Sequence, residues 1–166
     1  MAVVFLLGPG MWEPSKGGAP ASQTPMDVRR KIAKVLRDFH HTVVLMENEP
    51  GRKAEDIIQK FDRLLRSKVT DVVLYWPPSA KMQTTYDELI LLYDRQRFLR
   101  KSRIALWVLH HVSVAKITGD TFRVLEAGHR SRYLEAIARL GVTPLEWETD
   151  GDLEGWIQLL VSELGS

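Results

Sequence analysis

The chain has 166 residues, 45% of them hydrophobic and 27% charged, with a net charge of +2 and no cysteine. That balance suits one soluble globular domain and does not require nucleic acid as a partner. The lack of cysteine excludes disulfides, thiolate metal sites and cysteine nucleophiles.

Short apolar runs alternate with amphipathic segments, the pattern of a parallel sheet flanked by helices. Val3–Leu7 reads as the first strand, ended by Gly8-Pro9-Gly10. The apolar start, Ala2 to Leu7, is too short for a signal peptide or a membrane span and carries no basic leader. A cytoplasmic protein with no membrane partner is therefore expected. Met11 to Gln23 is rich in Gly, Pro and Ser and reads as a long loop. Thr24 suits a helix N-cap with Pro25 at the first helical position. That helix is expected to run to about Phe39, with Val28, Ile32, Val35, Leu36 and Phe39 on one stripe. Thr42–Met46 is the second strand. Lys53 to Ser67 forms the second helix, with Ile57, Ile58, Phe61, Leu64 and Leu65 as its buried face. Asp71–Trp76 is the third strand and Thr84 to about Arg100 the third helix. Arg103–Leu109 follows as a strand, Asp120 to Leu140 as a helix, Thr143–Trp147 as the fifth strand and Leu153 to Leu164 as the last helix.

Five strands and five helices in strict alternation predict a three-layer α/β/α sandwich around a five-stranded parallel sheet. Right-handed crossovers favour the doubly wound, flavodoxin-like order 2-1-3-4-5. Its switch point lies between strands one and three, and ligands bind outside the carboxyl ends of strands at such a point. The loops that leave there are Gly8–Gln23 and Trp76–Gln83, the two most irregular stretches of the chain.

Glu88 is the residue on which a functional reading turns. Placed in the first turn of the third helix, it has two readings. It can be the far half of a capping box with Thr84 or Thr85. It can also be a carboxylate facing the crevice, suited to an oxocarbenium-like centre as an N-glycosidic bond breaks. Gly8 and Gly10 would let a ligand approach the backbone closely, or simply make a turn. Neither G-x-G-x-x-G nor G-x-x-x-x-G-K-[ST] is present, which argues against a dinucleotide fingerprint or a P-loop. Trp12, Trp76, Tyr75 and Tyr86 fall around the same crevice and can stack on a base or pack in the core.

His110 and His111 follow the fourth strand, and His110 is within reach of a crevice ligand. His40 and His41 lie at the opposite end of the sheet, as structural or solvated residues. No H-x-x-x-H or comparable cluster occurs, so a metal site is not expected; nor does the reading imply a redox cofactor. The basic run Arg95, Arg97, Arg100, Lys101 and Arg103 reads first as a solvated helix end that complements the dipole. A phosphate or nucleic-acid contact is the lesser reading.

The order of strand, loop and Glu-bearing helix in VVLYWPPSAKMQTTYDELILLY resembles Toll/interleukin receptor (TIR) domains and nucleoside 2-deoxyribosyltransferases, which share the flavodoxin-like architecture. The opening VVFLLGPG is similar to the first strand and glycine-proline turn of the deoxyribosyltransferases. Thr85-x-x-Glu88 fits the latter part of their G-T-x-x-E pattern, with Thr84 where their glycine stands. The loop WPPSAKMQ has no acidic residue where those enzymes carry a pair, and the Trp-Cys of TIR domains is absent. Both families break an N-glycosidic bond, in a nucleoside or in NAD, with a Glu on this helix. The resemblance thus implies N-glycosidic cleavage or glycosyl transfer with Glu88 as nucleophile or oxocarbenium stabiliser. It implies a nucleoside or nucleotide site shaped by Trp12, Trp76, Tyr86 and Thr85. Gly8 and Gly10 would give backbone access there, and Ser79 would bond ribose or phosphate. Self-association is implied as well, since many members of both families are oligomers. The alternative is a non-catalytic nucleotide-sensing or protein-interaction module in which Glu88 caps its helix. A flavin-binding flavodoxin is disfavoured, because the first loop lacks that family's Ser/Thr-rich phosphate cradle.

Overall fold

The computed structural model describes residues 1–9, 25–78, 83–112, 140 and 145–165, and only the backbone of 83, 84 and 86. The apolar runs become β1 (Val3–Leu7), β2 (Thr42–Val44), β3 (Asp71–Trp76), β4 (Ala105–His111) and β5 (Leu145–Trp147). They pair in parallel throughout, in the order β2-β1-β3-β4-β5. This is the doubly wound, flavodoxin-like order, with its switch point between β1 and β3. Central β3 is buried at every residue, as a parallel strand covered on both faces must be.

Period-two alternation divides the core into two layers. Phe5, Leu7, Val72, Leu74, Trp76 and Val108 face α2 (Ile57–Leu65), α3 (Gln83–Asp94) and α4 (Gln96–Lys101). Those helices answer with Phe61, Leu64, Leu65, Leu89, Leu92 and Leu99. On the other face Leu6, Val73, Tyr75, Leu109 and Trp147 meet α1 (Pro25–Asp38) and α5 (Asp150–Glu163). These contribute Ile32, Leu36, Leu153 and Leu160. Helices on both faces of one sheet make the three layers.

Several boundaries differ from the sequence expectation, each for a local reason. α2 starts at Ile57 because Asp56 caps it, accepting from the Gln59 amide at 2.7 Å while the Gln59 side chain accepts from the Asp56 amide at 3.0 Å. Ile57 and Ile58 are thereby left in the outer part of the first turn, 68% and 51% exposed, and do not join the buried face. Phe39 lies just beyond α1 and is likewise exposed. A short 3-10 turn, Met46–Asn48, ends the segment expected to continue β2.

The single helix expected from Thr84 to Arg100 is two. At Arg95 the side chain folds back to donate to the Leu91 carbonyl at 3.0 Å and to Asp62 at 2.7 Å, closing α3 before α4 begins. β4 starts two residues late because Arg103 takes a left-handed φ of 54° to end α4. Thr149, with Asp152 as the reciprocal partner, caps α5 at Asp150, ahead of the expected Leu153. The loop of 11–23 and most of the helix expected over 120–140 fall outside the described residues.

The amino edge of the sheet is tied to the C-terminal helix. Buried Asp71 accepts from the Thr70 hydroxyl at 2.7 Å, the Trp107 indole at 3.2 Å and the Gly165 amide at 3.1 Å. His41 Nδ1 accepts from the Ala2 amide at 3.1 Å, and its Nε2 donates to the Val161 carbonyl at 3.1 Å. His41 is therefore structural, as its position ahead of β2 implies.

α1 ends in a Schellman closure: the His40 amide donates to Arg37 O at 2.9 Å and the His41 amide to Leu36 O at 3.1 Å. His40 itself sits at φ 68°, where a side chain is strained and glycine is not. His40→Gly is expected to stabilise the fold by about 0.5–1 kcal/mol. A higher urea midpoint at unchanged m-value would register it.

Candidate functional site at the carboxyl edge of the sheet

Gly8 and Pro9 leave β1 at the switch point, and Pro77 leaves β3 beside them. Gly8 has φ +146°, and a Cβ there would stand 2.8 Å from the Tyr75 carbonyl oxygen and 3.1 Å from Arg29 Cδ. Glycine is needed for a close approach, as expected, but the approaching groups belong to the protein itself.

Arg29 was not singled out from the sequence. Its guanidinium is almost wholly buried on the α1 face, where Nε donates to the Pro9 carbonyl at 3.1 Å and one terminal nitrogen to the Leu6 carbonyl at 3.3 Å. The other terminal nitrogen pairs with the carboxylate of Glu47, in the turn after β2. One side chain thus fixes α1, the end of β1 and the turn after β2 to one another. The signal was available: position 29 shares the helical stripe of Ile32, Ala33 and Leu36, whereas Arg30 and Lys31 do not.

α3 begins at Gln83, which makes Glu88 its sixth residue, in the second turn rather than the first. The position expected for a capping-box carboxylate is therefore not the one Glu88 holds. Fully buried Thr85, one turn earlier, and buried Leu89 and Leu92 mark the face of α3 turned to the sheet. Glu88 is half-buried on that side of the helix, with its Oε1 atom shielded from water.

Trp76 is the last residue of β3 and 6% exposed, packed in the layer beneath α2 to α4. His110 pairs with it in register on β4 and with Glu146 on β5. A backbone carbonyl only accepts, so the 3.2 Å contact of His110 Nδ1 with the His111 carbonyl makes Nδ1 the donor. In the neutral ring Nε2 is then the acceptor. Burial holds the His110 pKa below its usual range, against the opposing pull of that carbonyl and of the Glu146 charge.

The neighbouring His111 points to the other face, edge-on to Trp147 at 4.8 Å, and Trp147 stacks on Tyr75 at 6.1 Å. Burial, reinforced by the charge of Asp150, raises the Tyr75 pKa well above that of a free phenol. The Trp147 indole N–H is buried and has no hydrogen-bond acceptor among the described residues. It is a second group missed from the sequence, because a tryptophan ending a strand carries no mark of its polar atom's surroundings.

The structure therefore brings Trp76 and His110 together, and it places Thr85 and Glu88 on the inward side of α3. Gly8 sits against Tyr75 and Arg29. Gly10, Trp12 and Ser79 lie outside the described residues, as does the side chain of Tyr86. Among the described residues no three His, Asp or Glu side chains gather as a metal site. No helix among them is long and apolar enough to cross a membrane. The sequence matches no protein-family model and no curated protein.

Two measurements follow from this geometry. Glu47→Ala leaves a buried guanidinium without its counter-charge and is expected to cost about 3–5 kcal/mol, much more than the paired replacement Arg29→Met with Glu47→Leu. Denaturant titration of the three chains compares them. A titration followed by NMR should show His110 in the Nδ1–H tautomer, with a midpoint below 6.5. The unfolded ring takes up its proton first, so stability falls as pH drops from 6.5 to that lower midpoint, then levels.

Proposed function

We propose that the chain cleaves or transfers the N-glycosidic bond of a nucleoside or nucleotide, with Glu88 as the reacting carboxylate. The supporting observation is the position of Glu88: beyond the capping turn, half-buried, with one carboxylate oxygen screened from water. Burying a charged carboxylate is unfavourable, and a site that meets a developing oxocarbenium ion turns that charge to use. As the C1′–N bond breaks, its electron pair leaves on the base and the carboxylate stabilises or bonds C1′. Water or an acceptor base then attacks C1′ and completes the exchange. Nε2 of His110, an acceptor on the same face of the sheet, is suited to take the incoming group's proton. The reading includes a cytoplasmic setting, expected from the sequence, and self-association, implied by the family resemblance.

A second reading has its own support. Trp76 is spent on the core and the space beside Gly8 on Tyr75 and Arg29, so two expected ligand contacts serve packing. This favours a nucleotide-sensing or protein-interaction module without chemistry. Incubation with NAD and with deoxynucleosides, scoring released nicotinamide or base, separates the two. Glu88→Gln keeps the side-chain shape and is expected to slow release by roughly 10²-fold or more. Equal release by variant and parent removes Glu88 from the mechanism, and no release by the parent supports the module.

A further inference from the structure

At the amino edge of the sheet, where α4 turns into β4, lies a cavity of about 260 Å³. Leu99, Ile104, Leu106 and Leu140 give it an apolar lining, and Arg100 and Arg103 supply its cationic groups. Ala105 borders it too, five residues along β4 from His110, so roughly 17 Å separate it from the carboxyl edge. It is a different place from the site described above, and it does not depend on that site's chemistry.

A basic helix end needs only solvent and the dipole, and neither explains a hollow with an aliphatic lining. The charges here are also unevenly answered. Asp62 pairs with Arg66 at 3.0 Å and with Arg95 at 2.7 Å. Among the described residues, Arg97, Lys101 and Arg103 meet no carboxylate within ion-pair distance. Arg103 is held in place by the backbone, its amide donating to Arg100 O at 3.1 Å and the Ile104 amide to Leu99 O at 2.9 Å. This Schellman closure sets Arg103 at the border of the cavity. The volume lies just below the range of about 300–1,000 Å³ usual for ligand pockets, which limits the occupant to a single ring or a short chain.

We propose that this cavity binds a small free oxyanion with an apolar body, an aryl or short alkyl phosphate monoester. Its head group meets Arg103 and its body rests on Leu99, Ile104, Leu106 and Leu140. The arginine supplies charge-assisted hydrogen bonds to phosphate oxygens, and the aliphatic lining removes the ring from water.

The test is titration of phenyl phosphate into the full isotope-labelled chain, followed through backbone amides. Saturable shifts confined to residues 96–106 and the neighbourhood of Leu140 are expected. Inorganic phosphate and benzyl alcohol, each carrying half of the chemistry, are expected to bind roughly tenfold more weakly. Arg103→Gly removes the guanidinium while suiting the left-handed backbone. It should therefore weaken phenyl phosphate roughly tenfold without lowering the melting temperature. Equal binding of inorganic phosphate, unchanged affinity in Arg103→Gly, shifts centred elsewhere or no saturation would each overturn the assignment. Tighter binding of a phosphotyrosine peptide than of phenyl phosphate would overturn the claim that the ligand is free.

Discussion

A guanidinium removed from water must have its donors answered, and the way Arg29 is answered organises the switch point. Its partners come from two stretches distant in sequence: the end of β1 with the turn that leaves it, at Leu6 and Pro9, and the turn following β2. Aliphatic packing can rival a buried ion pair in stability. It would, however, leave the carbonyls of Leu6 and Pro9 without a donor, and it would not hold two strand ends in one arrangement. The glycine at position 8 follows from the same constraint, since the arginine stem and the Tyr75 carbonyl take the space of a side chain.

Beyond the switch point the two faces of the sheet carry different side chains. Trp76 and His110 look toward the layer that carries Glu88, and Tyr75, His111 and Trp147 look toward α1 and α5. The first set holds groups able to exchange protons. The second is an aromatic stack whose polar atoms are a high-pKa phenol, an indole donor and the His111 ring, which contacts the Glu148 carbonyl at 3.2 Å.

The architecture was legible because apolar runs of five or six residues, separated by helical periodicity, leave few topologies once crossover handedness is imposed. Element ends were legible only in part. The D-I-I-Q and T-D-G-D caps can be read from the chain, yet the hydrophobic stripe of the second helix was extended over Ile57 and Ile58, which the cap keeps outside. The left-handed residues His40 and Arg103 carry no mark in the sequence, since neither is glycine or asparagine. At the site, the location and the face of Glu88 could be read, but its helical turn could not. That turn depends on where α3 begins, and a proline-broken loop fixes a start poorly. Arg29 and Glu47 lie 18 residues apart, on elements whose approach only the fold decides.

The two adjoining histidines of β4 carry a consequence for how this edge can change. Because alternate residues look opposite ways, a one-residue deletion early in that strand would exchange their places. The ring now set between Trp76 and Glu146 would move to the face of the aromatic stack, and its neighbour would take the place between Trp76 and Glu146. At such an edge a change of length therefore costs more than the substitution of one partner.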